Sequence, residues 1–174
     1  MAARVAFSGE NSRIKSNVPQ SKPFDRMIFF IASPWRNKEA VKALSETLTR
    51  EGHTAMSFLT SGSNLTTGNS VNDELKGFAR ALVGWEDDPL VDKIFSSEIE
   101  GLKACDALIL LEPSGRSSLA EAGIAYGLGK PVILVGLVDR PEMIYHICTY
   151  RYPGPDALIV NLGDVVNRGQ KKPA

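Results

Sequence analysis

The chain has 174 residues, 43% of them hydrophobic, which is enough for one globular domain with a sizeable core and short for two. Twenty basic residues are balanced by twenty acidic ones, so the overall charge favours neither a nucleic acid polymer nor an anionic membrane, and any anion site must be built locally. No apolar run approaches the length of a membrane span, and the two cysteines, Cys105 and Cys148, fit no CxxC pattern and read as small buried hydrophobes of a reducing, cytoplasmic compartment.

Residues 1–23 carry Ser, Asn, Lys and Pro without the apolar core of a secretory signal, and read as a mobile lead-in. Met27 to Ala32 is a continuous apolar run and predicts a first strand. Asn37 to Glu51 then sets Val41, Leu44 and Leu48 on one helical face before Gly52 ends the helix, and His53 after it reads as a surface residue. Thr54 to Leu59 predicts strand two. Thr60 to Ser70 is polar and glycine-rich without periodicity, the pattern of a loop that moves or folds over a ligand. A short helix is expected over Asn72 to Val83. After the break at Gly84 to Pro89, a second helical stretch runs to Lys103, with a restart at Ser97 that sets Glu100 in capping-box register.

Two further apolar runs, one at Leu108 to Leu111 and one at Val132 to Val135, flank a glycine-rich amphipathic segment and predict a parallel βαβ unit. Pro141 to Thr149 reads as helical, Ala157 to Val160 as a fifth strand, and residues 164–174 as a polar tail. Five strands alternating with helices predict an α/β fold: a single doubly wound, flavodoxin/Rossmann-like domain over residues 24–163 with strand order 2-1-3-4-5.

In such sheets ligands bind at the carboxyl ends of the strands, where the loop Glu112 to Ser118 must lie, so Glu121 is expected at the rim of a pocket. A competing reading is structural. Ser118-Leu-Ala-Glu121 spells a capping box, with the serine as N-cap and the glutamate folded back onto its amide in the first helical turn. Gly115-Arg-Ser-Ser118, with Ser114 before it, offers backbone amides, hydroxyls and a guanidinium to an anion; the alternative is an ordinary turn with a solvent-facing Arg116. Ser33, Trp35 and Arg36 follow strand one at the same edge, so Ser33 could touch a bound ligand, and Trp35 could stack on one or simply pack. There is no GxGxxG after strand one, no Walker loop, no GxSxG elbow, and no His or Cys cluster with metal spacing.

The block from Glu98 to Leu134 resembles the nucleoside 2-deoxyribosyltransferase superfamily, including its N-glycosidase branches that act on nucleoside 5'-monophosphates. The matching positions are Glu98, Cys105-Asp106, Ser114-Gly-Arg-Ser-Ser118, Glu121-Ala-Gly123 and Gly129-Lys-Pro131, with Ala32-Ser-Pro34 resembling the sugar-side loop. Two departures stand out: Glu98 replaces the usual Asp, and Ser117 the usual loop Gly. The resemblance implies cleavage or transfer at an N-glycosidic bond, with Glu121 as nucleophile or stabiliser of an oxocarbenium-like state and Glu98 as a second acid near the leaving base. It further implies a nucleoside or nucleotide substrate, no metal or organic cofactor, and a homo-oligomer. Glu98 also reads as a solvated first-turn acid, and Lys130 as a satisfier of a helix carboxyl end. Two rival functions remain: a non-catalytic nucleotide-sensing module, and an NAD glycohydrolase of the TIR type, which also uses a helix-borne glutamate.

Overall fold

The structure is a computed structural model and describes residues 26–61 and 85–169. The amino-terminal lead-in, the glycine-rich loop beyond residue 61 and the helix expected over 72–83 lie outside these residues. Strands β1 (Ile28–Ala32), β2 (Thr54–Ser57), β3 (Ala107–Leu111), β4 (Val132–Val135) and β5 (Tyr150–Tyr152) form one sheet of order β2-β1-β3-β4-β5. Every pairing is parallel, with Phe30 beside both Met56 and Leu108, and Leu110 beside Leu134. The fold class and strand order are those expected from the sequence.

β1, β3 and β4 read as unbroken apolar runs because both their faces are covered. Successive residues alternate between two cores. Phe29, Ile31, Ile109, Ile133 and Val135 pack with Val41, Leu44 and Leu48 of helix α1 (Lys38–Arg50). The same layer takes Leu158 of α5 (Pro155–Val160) and Val165 and Val166 of α6 (Leu162–Gly169). On the opposite face, Phe30, Ala32, Leu108, Leu110, Val132 and Leu134 pack with Leu102 of α3 (Pro89–Ala104) and with Ala122 and Ala125 of α4 (Arg116–Gly127). Glu98 and Glu121 therefore ride on two helices that share one face of the sheet.

Several boundaries differ from the sequence reading. Strand two ends at Ser57, where the Thr60 hydroxyl accepts the Ser57 N–H at 2.8 Å and turns the chain into the short helix α2 (Phe58–Ser61). α3 is continuous from Pro89, a residue suited to a first helical position, and does not restart at Ser97. Residues 157–160 are helical, not a strand: Gly154 and Pro155 open α5, and a four-residue apolar run does not distinguish strand from helix by itself. The fifth strand is Tyr150–Tyr152, at the sheet edge, and the helix expected over 141–149 is a 3-10 turn at Met143–Ile147. The polar tail expected from residue 164 overlaps α6, whose Val165 and Val166 are buried. Among the described residues no helix is long and apolar enough to cross a membrane.

His53 is a further correction. It is 4% exposed, its Nδ1 accepts the Met27 N–H at 3.2 Å, and its ring meets Phe29 edge-on with centroids 5.5 Å apart. The accepting nitrogen must be unprotonated, and burial pushes the imidazole below its ordinary value of 6.5, against a smaller upward pull from Glu51. Between the folded and unfolded values the unfolded chain binds more protons, so this stabilisation is complete above about 6.5 and is lost as pH falls. Denaturation midpoints measured from pH 8 to 5 should decline on the acid side. In His53→Gln, which keeps an acceptor but does not titrate, the decline should be shallower; superimposable profiles would show that His53 does not contribute it.

Candidate active site

The amino end of α4 decides between the two readings of Glu121. The helix begins earlier than the capping-box pattern suggests: Gly115 is the N-cap in an extended conformation (φ −143°, ψ −179°), and the Leu119 N–H closes the first turn onto the Gly115 carbonyl at 2.9 Å. Small residues let the helix wind into the expected loop. Ser118 is thus inside the first turn, 1% exposed on the inner face with Ala122 and Ala125, and its hydroxyl has no hydrogen-bond partner among the described residues. No side-chain capping bond forms, and no acid lies in the first turn. Glu121 falls in the second turn, half-buried.

Glu98 sits well inside α3, also half-buried, so it is not a solvated first-turn acid. One turn further on, Gly101 lets α3 approach β1 closely; a Cβ there would lie 2.9 Å from Cε2 of Phe30. α3 and α4 contact each other in a seam on this face of the sheet, and the Glu98 charge acts on Glu121. Burial, with a further push from the Glu98 charge, raises Glu121 from 4.5 to about 8, and burial raises Glu98 as well. Two acids that both resist ionisation, one of them in the field of the other, disfavour the state in which both are charged. Such a pair can present one anionic and one protonated carboxyl to a ligand, the division of labour acid–base and nucleophilic chemistry require.

The strand ends beside this seam are tied together. Ser33 is buried, donates its proton to the Leu111 carbonyl at 3.0 Å and accepts Asn37 Nδ2 at 2.9 Å. Asn37 also reaches the Glu112 carbonyl at 3.2 Å, and Arg36 Nη2 lies 3.4 Å from the Ser114 carbonyl. The structure thus gives Ser33 and Arg36 roles in clasping β1 to the β3 loop. Trp35 packs against Phe58 with ring centroids 5.0 Å apart, Lys38 Nζ stands 6.0 Å from its ring, and its buried indole N–H has no partner among the described residues. Arg116 and Ser117 are exposed on the first turn of α4, ahead of the first intrahelical bond, and Arg116 pairs with no carboxylate among the described residues. The Ser114 N–H, in contrast, is taken by Glu112 Oε2 at 2.7 Å.

Asn37, Glu112 and Tyr145 had no site role in the sequence reading. Glu112 directly follows a fully buried strand at its carboxyl end, a position that could have been flagged; Tyr145 arrives from a distant turn and leaves no local signal. Two of the resemblance positions prove to be scaffold. Asp106 Oδ2 accepts the Ile28 N–H at 2.7 Å, and Lys130 Nζ donates to the carbonyls of Cys105 at 2.7 Å and Lys103 at 3.1 Å, closing the carboxyl end of α3. A cavity of about 210 Å³ lined by Glu51, His53, Asn161 and Asp164, among others, shares no residue with the carboxylate seam. Among the described residues no group of three or more His, Cys, Asp or Glu could hold a metal ion.

No family model matches the sequence, and no curated protein matches it. Among solved structures, the chain is similar to a 2-deoxyribosyltransferase from the psychrotolerant bacterium Bacillus psychrosaccharolyticus, with 22% identity, 80% of this chain and 90% of that chain covered, and a TM-score of 0.50. It is also similar to a CMP N-glycosidase from Clostridium botulinum, with 14% identity, 78% and 97% covered, and a TM-score of 0.44. The likeness to the transferase shows a shared fold.

The position of Glu121 has a measurable consequence. Its carboxyl is protonated in both folded and unfolded chains below about 4.5, and above about 8 it is charged in both, at the full burial cost in the folded one. Stability contributed by this group is therefore lost as pH rises between those values. Glu121→Gln should leave stability near pH 4.5 almost unchanged and raise it at pH 8.5, by up to a few kcal/mol given about 1.4 kcal/mol per tenfold change in acidity. Urea denaturation at both pH values measures this, and equal effects at the two would mean that the side chain is not held in a desolvated seam.

Proposed function

We propose that this protein cleaves or exchanges the base–sugar bond of a nucleoside or nucleoside 5'-monophosphate, with Glu121 as the nucleophile. The observation that carries the reading is the carboxyl pair: Glu121, half-buried in the second turn of α4 and raised to about 8, in the field of Glu98 on the adjacent helix. The likeness in fold to a 2-deoxyribosyltransferase supports it.

In this mechanism the Glu121 carboxylate attacks the anomeric carbon through an oxocarbenium-like state, the C–N bond breaks, and its electron pair leaves on the base. Glu98 delivers the pair's proton to the departing nitrogen. Water or a second base then attacks the anomeric carbon, returns a proton to Glu98 and frees Glu121, so hydrolysis and transfer differ only in which acceptor reaches the intermediate. A low-dielectric seam suits this chemistry, because a carboxylate poorly solvated in the free protein gains most from a neighbouring positive centre. Trp35 is the proposed stacking partner of the base. A 5'-phosphate, where present, would lie against the first turn of α4, at the N–H groups of Arg116, Ser117 and Ser118 and the Arg116 guanidinium, with Gly115 admitting its close approach.

Two measurements test the reading. A chromatographic screen of nucleosides, mononucleotides and NAD for free-base release should find wild-type activity on one of the first two classes, with kcat/KM falling as pH rises through about 8, where the carboxyl pair loses the proton that Glu98 delivers. Glu121→Gln should remain folded and lose at least about 10³-fold in rate. A fully active variant would remove the nucleophile assignment, binding without release would favour a sensing module, and turnover of NAD alone would favour a glycohydrolase of the TIR type. Separately, Arg116→Ala should weaken mononucleotide binding by about 1.5 to 3 kcal/mol and leave the matching nucleoside unaffected. Equal losses for both ligands would assign Arg116 to something other than phosphate.

A further inference from the structure

The loop after β3 contains a closed ring of three side chains. Glu112 Oε2 accepts the Ser114 N–H at 2.7 Å, Glu112 Oε1 accepts the Tyr145 hydroxyl at 3.1 Å, and the Tyr145 hydroxyl lies 3.0 Å from Ser114 Oγ. Glu112 is held from behind by Gly136, where a Cβ would stand 2.7 Å from the glutamate's own Cβ, and where φ is +111°. Tyr145 is anchored through its carbonyl, which accepts Arg151 Nη2 at 2.9 Å. All three members of the ring are half-buried, so the ring is fixed yet within reach of a ligand.

Proton counting gives the ring a direction. A phenol has one proton, and here Glu112 receives it; a carboxylate with two accepted bonds has none to return. At the contact between Ser114 and Tyr145, the serine must therefore be the donor. Burial and the Glu112 charge hold the Tyr145 phenol above its ordinary range, opposed by the Ser114 contact, so Tyr145 keeps its proton across neutral pH. Ser114 has then spent both its N–H and its O–H inside the ring, and what it offers outward is lone pairs. A phosphate oxygen, itself an acceptor, could meet Ser114 only by drawing that proton away beside the Glu112 carboxylate. A hydroxyl group meets it with no rearrangement.

We infer that Ser114 accepts a hydrogen bond from a sugar hydroxyl of the substrate, and that Tyr145 is the positioning residue that keeps it an acceptor. The inference rests on the proposed reading of the site as one for nucleosides or nucleotides. It separates Ser114 from the first turn of α4, leaving any phosphate to the groups from Arg116 to Ser118.

The test uses binding, read by calorimetry in the full-length Glu121→Gln protein so that turnover plays no part. Ligands are ribonucleosides of the four common bases, their 2'-deoxy, 3'-deoxy and 5'-deoxy forms, and the 5'-monophosphates of the ribonucleosides. Adding Ser114→Ala should weaken binding of the parent nucleoside by about 3- to 10-fold, the worth of one neutral hydrogen bond. The loss should be equal for the monophosphate, unless the 5'-hydroxyl is the group read, and absent for one of the three deoxy forms. Adding Tyr145→Phe instead frees the serine proton and should shift selectivity toward the monophosphate several-fold, a change that a merely structural tyrosine would not produce. A Ser114→Ala penalty confined to monophosphates, or one that persists in all three deoxy forms, overturns the inference while leaving the carboxylate reading intact. If no nucleoside or nucleotide binds, both fall, and if wild type releases no base although the ligands bind with this pattern, only the catalytic reading falls.

Discussion

A parallel sheet whose central strands are apolar on both faces must be covered on both faces, and that requirement arranges the rest of this protein. β1 and β3 send Phe29, Ile31 and Ile109 to one side and Phe30, Leu108 and Leu110 to the other. The crossover connections distribute the helices, with α1, α5 and α6 on one layer and α3 and α4 on the other. Because the two carboxylate-bearing helices are assigned to the same layer, Glu98 comes near enough for its charge to act on Glu121. Their pairing is a consequence of topology, since 23 positions of sequence separate them and no local pattern joins them.

Such an arrangement is costly to keep. Glu121 is half-buried and pushed to about 8, Ser118 beside the helix start has a buried hydroxyl without a partner among the described residues, and the Trp35 indole N–H is likewise unsatisfied among them. Native proteins leave few buried polar groups unpaired, and an apolar core offsets the cost elsewhere. Here the offset is visible on the same elements: Ala122 and Ala125 are fully buried one turn beyond these groups, and Leu102 seals α3 near Glu98. On the proposed reading the unsatisfied groups are the ones nearest the substrate, which is where such violations of packing are expected to concentrate.

Most of the fold was legible because it is written in short-range patterns. Continuous apolar runs gave β1, β3 and β4, and the spacing of Val41, Leu44 and Leu48 gave α1. The misread segments are those where local pattern is ambiguous. Ala157 to Val160 is apolar enough for a strand, and only Gly154 and Pro155 before it mark a helix; Tyr150 to Tyr152 has a polar centre and becomes a strand because β4 is there to pair with it. The carboxylates were legible as residue types at plausible places. What the sequence could not supply was the helix start: Ser118 to Glu121 spells a capping box, yet the helix began at Gly115 and turned the would-be cap inward. His53 was misread for the same kind of reason, since its burial depends on Phe29 and Met27, far away in the chain.

The positions shared with the resembling family divide by chemistry once their contacts are known. Asp106 and Lys130 bind backbone groups of other elements and fix where β1, β3 and α3 begin or end, so the scaffold accounts for them and they say little about a substrate. Among the described residues Glu98 and Glu121 make no such backbone contacts, and burial raises both, so the described scaffold does not account for them. The loop between these two classes is mixed: its amide at Ser114 serves Glu112, whereas the first-turn amides of α4 have no helical partner to serve. A carboxylate that consumes donors on one side of the loop, next to a helix end that supplies them on the other, gives neighbouring residues opposite hydrogen-bonding polarity. A ligand that satisfies both must carry donors and acceptors a few bonds apart, a condition that a sugar with hydroxyl groups and a 5' substituent meets and an isolated phosphate does not.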